Sequence, residues 1–176
     1  MKIEDLKILA NSEIDRRGNE AIGIAKDILI HPEPGFREHR TSRVVGDKLK
    51  ALGVPVEEGI GITGLRGIVD SGRAGPTVAV IGELDSLIVP GHPNADLATG
   101  AAHACGHHCQ IGSMIASVIG LLVDGVMEEL SGRVAFLAVP SEEYIEIEYR
   151  DEIRRSGKIE FLGGKLEFIR LGKLDD

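Results

Sequence analysis

The run Val134-Ala135-Phe136-Leu137-Ala138-Val139 carries no polar side chain and stops abruptly at Pro140-Ser141-Glu142-Glu143. A strand that is apolar on both faces needs cover on both faces, which favours a layered fold of helices on a sheet. In such folds functional groups gather where strands finish, at the carboxyl edge of the sheet. Arg133 to Val139 is therefore expected to be a strand that delivers two acids to that edge. Glu83-Leu84-Asp85 follows a second apolar segment, Thr77 to Ile81, in the same way.

The rest of the chain alternates helical and extended patterns. Ile14, Ala21, Ile24, Ala25, Ile28 and Leu29 recur at helical spacing, which predicts a helix over Asn11 to Ile30 that Pro32 and Pro34 end. A second helix is expected from Thr41 to Leu52, with Gly53 at its end. Strands are expected at Val54 to Glu57, at Gly64 to Asp70 and, rich in β-branched residues and buried, at Thr77 to Ile81. Val89 to Gly100 reads as a loop and His107 to Val123 as a helix buried under the sheet. Ile145 to Ser156 reads as a helix with a charged outer face, and Leu166 to Leu171 as a short helix or strand. The class is α/β, and 176 residues fit one domain with a sizeable core.

Charge and composition exclude several functions. With 28 acidic against 20 basic side chains, the formal net charge is −8, the wrong sign for nucleic acid or an anionic membrane. No Trp, two Tyr and four Phe leave little for an aromatic platform. The N-terminus lacks a secretory apolar core, and the longest apolar segment, Ile111 to Val123, is too short to span a bilayer. A cytoplasmic protein is expected, in which Cys105 and Cys109 are ligands or free thiols rather than a disulfide.

The densest chemistry lies in His103-Ala104-Cys105-Gly106-His107-His108-Cys109. Thiolate, imidazole and carboxylate together suit a borderline-soft divalent ion, zinc first, with manganese, cobalt or nickel as alternatives. Gly106 permits a sharp bend between Cys105 and His107. Taken alone, Cys105 also fits a small buried position and His107 a helix-starting residue bonded to backbone; their clustering weighs towards ligands. A rival arrangement is a structural zinc site built from Cys105, Cys109 and two histidines, although such sites draw ligand pairs from two separate segments. Glu142 and Glu143, adjacent at a strand end, can point one at a metal and one at a substrate; paired glutamates elsewhere are usually solvated surface. A carboxylate beside activated water takes its proton during amide hydrolysis and hands it to the leaving amine. Asp85 fits either a residue orienting a ligand histidine or a turn-forming aspartate. His31, His39 and His92 have no evident partners and are expected on loops or the surface.

Taken in order and spacing, His31-Pro32-Glu33-Pro34-Gly35-Phe36, Gly82-Glu83-Leu84-Asp85-Ser86-Leu87, His103-Ala104-Cys105-Gly106-His107 and Pro140-Ser141-Glu142-Glu143 resemble the M20 metallopeptidase and amidohydrolase family. The similarity is to the subgroup of N-acyl-amino-acid amidohydrolases, aminobenzoyl-glutamate hydrolases and dipeptidases. It implies a zinc-exopeptidase-like, three-layer α/β/α fold with a mixed, largely buried sheet. It implies Cys105, His107 and Glu143 as metal ligands, Glu142 as general base and Asp85 as the acid that supports the site. Family members often hold two metals and cleave a small amide, such as an acyl-amino acid or a dipeptide.

The same resemblance sets expectations about extent. Family members are longer, carry further ligand histidines, and bear an inserted lid domain that dimerises. His108 stands where the subgroup commonly has Asp or Asn. Residues 1–176 are accordingly expected to be a single, truncated, partial catalytic domain without the lid and the C-terminal catalytic segment. The expected function is metal-dependent hydrolysis of a small amide or peptide, with homo-oligomerisation or a complementing chain. The alternatives are a catalytically silent remnant that self-associates and one half of a split enzyme.

Overall fold

The computed structural model describes residues 1–175. Its order is α1 (Ile3–Leu29), α2 (His39–Ala51), β1 (Val56–Ile60), β2 (Gly64–Asp70), β3 (Thr77–Glu83), β4 (Leu87–Ile88), β5 (Ala101–Ala102), α3 (His107–Leu121), β6 (Arg133–Val139), α4 (Ile147–Arg155) and α5 (Gly164–Arg170). The main sheet runs β1-β2-β6-β3. β2 pairs antiparallel with β1 and β6, whereas β3 pairs parallel with β6. The sheet is thus mixed, as expected. β4 and β5 form a separate two-stranded ribbon that closes the loop at 89–100.

β6 explains the layering. Phe136 and Ala138 face a large core formed by Ile28 of α1, Val45 and Leu49 of α2, and Ile111, Met114, Ile115 and Val118 of α3. Ala135, Leu137 and Val139 point the opposite way, against Ile60 and Phe168 of α5. Alternate residues of one strand therefore serve two apolar layers, which is why the run admits no polar side chain. No helix among the described residues is long and apolar enough to cross a membrane.

Three expectations need correction. α1 begins at Ile3 rather than Asn11, because Leu6 is buried and Glu4 and Asp5 supply acids to its first turn, where the Asp5 carboxylate accepts the Lys2 amide. β1 starts two residues later than expected, at Val56. β3 is an edge strand and not a buried one: Val78 and Ile81 are exposed, with β6 on one flank and no strand among the described residues on the other. Val78 and Val80 mark it as a strand in sequence, but only the strand order says which strand lies outermost. The segment at 166–171 resolves as helix.

A buried polar cluster sits behind the end of β6. Glu38 is fully buried; its carboxylate accepts the Thr63 hydroxyl at 2.7 Å and the Ser141 amide at 2.8 Å. Ser141 has φ +52°, a left-handed conformation that costs a residue with a side chain roughly 1 kcal/mol or more. The bond to Glu38 stabilises that turn. Burial, aided by the nearby Asp85 charge, pushes the Glu38 carboxyl up to about 7, although both hydrogen bonds work the other way.

Two predictions follow from the packing. Gly132 has φ +89°, and a Cβ there would collide with the Pro76 carbonyl of the facing turn, whereas Gly18 in α1 has open space around it. Gly132→Ala should lower stability by more than about 1 kcal/mol and Gly18→Ala should raise it by about 0.5 kcal/mol in denaturant unfolding. For Glu38, the folded chain holds its proton to about 7 while an unfolded chain releases it near 4.5. Stability should therefore fall as pH rises between those values, by up to about 3 kcal/mol. Glu38→Gln should flatten the Tm–pH curve in that window; an unchanged slope would exclude Glu38 as its source.

Candidate metal centre

The parallel ladder of β3 and β6 places Glu83 directly opposite Val139, so both strands finish at one edge. The ladder extends one step, with the Leu84 amide donating to the Val139 carbonyl at 2.9 Å. Beyond Val139 the chain turns at Ser141 and presents Glu142 and Glu143. Three groups hold that turn: the Glu38 carboxylate on the Ser141 amide, the Asp85 carboxylate on the Glu143 amide at 3.0 Å, and the Arg150 guanidinium on the Glu143 carbonyl. Arg150 is itself buried and also donates to the Leu162 carbonyl at 2.9 Å.

The third segment is the start of α3. Gly106 has φ +99°, a conformation that favours glycine, and it turns the chain so that His107 opens the helix. His107 is buried, and its Nδ1 lies 2.8 Å from the Asp85 backbone carbonyl. Only an N–H can satisfy a carbonyl, so Nδ1 carries hydrogen and Nε2 faces the acids. Around Nε2 lie Glu83 at 2.9 Å and Glu142 and Glu143 at 3.8 Å each. Burial opposes charge on the ring, but the hydrogen bonds and charge of Asp85 together with Glu83 outweigh it and raise the pKa to about 9. The exposed Cys105 thiol is pushed up to about 11 by its hydrogen bond to Glu143, then by burial and surrounding acids.

Two overlapping groups of donors result. Cys105, His107 and Glu143 bring one ligand atom each within 4.8 Å of one another, and so do Glu83, His107 and Glu142. The donor chemistry fits a borderline-soft divalent ion. A ligand histidine whose second nitrogen is held by a carbonyl is the usual supporting arrangement. The excess of acid around Nε2 fits as well.

The five residues expected at the site thus converge: Cys105, Glu142 and Glu143 near the His107 imidazole, with Asp85 on its Nδ1 side. Gln110 and Lys165 join them unanticipated, as does Glu83, which the sequence placed at this edge without a role. The Gln110 amide donates to Glu83 at 3.0 Å, and the Lys165 ammonium contacts Glu83 and lies 3.5 Å from Glu142. Glu83 carried a signal, since it stands two residues before Asp85 at a strand end. Lys165 carried a fainter one in Gly163-Gly164: a Cβ on Gly164 would collide with the Pro140 carbonyl, so the glycine lets α5 press against the end of β6. Beside Glu142, a depression of about 270 Å³ is lined by Tyr144, Gly163, Lys165 and Leu166. The larger one, about 500 Å³ between α1 and α3, touches none of the five.

The remaining candidates do not assemble. Cys109 belongs to neither donor group among the described residues; its Sγ lies 3.2 Å from His108 Nε2. His103 is buried with both ring nitrogens unpaired, and burial lowers its pKa to about 4. His31 and His39 are exposed, as expected, but His31 does have a partner, the Asp27 carbonyl at 2.8 Å. His92 Nδ1 accepts the Asn94 amide at 3.1 Å.

No protein-family model matches the chain. Individual proteins do. Thermostable carboxypeptidase 1 of Saccharolobus solfataricus is 34% identical over 128 residues, which cover 69% of this chain and 32% of that protein. A crystal structure from methicillin-resistant Staphylococcus aureus, assigned as an aminohydrolase, superposes with a TM-score of 0.74 at 25% identity, covering 95% of this chain and 39% of the other. The YXEP protein of Bacillus subtilis, described as a dinuclear metal-binding peptidase of the M20 family, has a TM-score of 0.64 at 25% identity and coverages of 81% and 40%. The chain spans about a third of the length of the curated relatives it matches. By sequence and fold together, the chain is similar to metallopeptidases and amidohydrolases of the M20 family.

Proposed function

We propose that this chain carries part of the catalytic centre of a metal-dependent amidohydrolase acting on an N-acyl-amino acid or a dipeptide. The observation that carries this reading is the convergence of Cys105, His107 and Glu143 within 4.8 Å, with Glu142 beside them. Those three would hold a divalent ion, zinc first. When bound, the ion supplies Lewis-acid activation of water and of the amide carbonyl.

The chain's own residues do the rest. Asp85 holds His107 through its backbone carbonyl, so Nε2 stays directed at the acids. Asp85 also anchors the Glu143 amide, coupling the two ligand segments. Glu142, more exposed than Glu143, takes the proton of the attacking water and returns it to the leaving amine. The site is a partial one on this reading, with further ligands and a lid supplied by additional polypeptide. A second reading, a catalytically silent subunit that associates through its sheet, draws support from the exposed edge strand β3 with Val78 and Ile81 uncovered.

Zinc should bind the chain and raise its Tm, and Cys105→Ala or His107→Ala should weaken binding by at least about 10-fold in calorimetric titration. In a colorimetric screen of acyl-amino acids and dipeptides with added zinc, manganese or cobalt, Glu142→Gln should bind metal normally yet lose about 10²–10⁴-fold in rate. Retained turnover in that variant would remove Glu142 from the mechanism. Absence of turnover with every ion, together with concentration-dependent self-association, would favour the silent subunit.

A further inference from the structure

The two donor groups share His107, yet His107 can serve only one ion. Its Nδ1 is committed to the Asp85 carbonyl, so Nε2 alone is free to ligate. Whichever ion takes Nε2, the other position retains only oxygen ligands or the Cys105–Glu143 pair. The thiol settles the choice, because a borderline-soft ion prefers sulfur and nitrogen to a pair of carboxylates. That leaves Glu83 and Glu142 facing each other with no nitrogen or sulfur donor of their own.

A cation already stands there. The Lys165 ammonium contacts Glu83 Oε1 and lies 3.5 Å from Glu142 Oε1. About half of the Lys165 side chain is exposed, but the helix that carries it is fixed in place. α5 is docked by Phe168 beneath the sheet and by the close approach of Gly164 to Pro140. Gln110 holds Glu83 from the other side at 3.0 Å. We infer that Lys165 takes the place of a second metal ion, so that this chain binds one divalent ion through Cys105, His107 and Glu143 while its own ammonium bridges Glu83 and Glu142. The inference rests on the metal-site reading above and narrows it. One similar structure is described as a dinuclear metal-binding peptidase; in this chain a side chain stands between Glu83 and Glu142. The lysine also keeps Glu142, the proposed base, paired with a fixed positive charge.

Cobalt titration of the full chain separates the possibilities. The thiolate-to-cobalt absorption band reports the Cys105 position, and equilibrium dialysis counts bound ions. The wild-type chain should bind one Co²⁺, with the band saturating at that equivalent and vanishing in Cys105→Ala. Lys165→Gln should bind two, with the band still complete at the first. Lys165→Arg, which keeps the charge, should bind one. Two ions in the wild-type chain, or one in Lys165→Gln with a normal band, would overturn the role of Lys165 and leave the metal site standing. No cobalt and no band in any variant would overturn the metal-site reading and this inference with it.

Discussion

The parallel pairing of β3 with β6 is the constraint on which the site depends. Its register sets Glu83 opposite Val139 and so brings two separate strand ends to one edge. A slip of one residue would reverse which side chains of β6 face α1, α2 and α3 and which face α5. It would also turn Glu83 and Glu142 away from the imidazole. The register is fixed by burial on both faces, where Phe136 and Ala138 fill one apolar layer and Ala135, Leu137 and Val139 the other. The apolar core and the chemistry therefore share one cause.

At that edge the dominant physical fact is negative charge. Glu83, Asp85, Glu142 and Glu143 all come within 3.8 Å of His107. Two unit charges about 4 Å apart interact by roughly 4 kcal/mol at an effective dielectric near 20. Like charges at such range need compensation, and the chain supplies it with the His107 proton and the Lys165 ammonium. Behind them Arg150 ties down the Glu143 carbonyl, and Glu38 holds the strained Ser141 turn. The polar cluster is thus built in two tiers. At the front, Glu142, Glu143 and Lys165 are partly exposed, while Glu38, Ser141 and Arg150 behind them are buried and fix the backbone that carries the acids.

Much of this was legible in the residues. The boundaries of β2 and β6 follow directly from their apolar patterns, and α3 follows from a helix apolar on nearly every side that opens at His107. The candidate site was legible because its parts are local: a thiol and an imidazole spaced around Gly106, and acids directly after strands. What escaped was non-local. The outermost position of β3 depends on strand order, and its valines read alike at the centre or the edge of a sheet. Glu83 acquires its role only when α3 brings His107 to it.

The sequence by itself determined most of the element types, the α/β class and which ligand-capable side chains stand at the strand ends and the start of α3, because periodicity, glycine and proline placement, and side-chain chemistry are properties of short segments. Tertiary structure alone decided which nitrogen of His107 is free, that one imidazole serves two donor groups, and that Lys165 from α5 stands between Glu83 and Glu142. Those outcomes arise from distances between residues far apart along the chain, and only the packed core sets such distances.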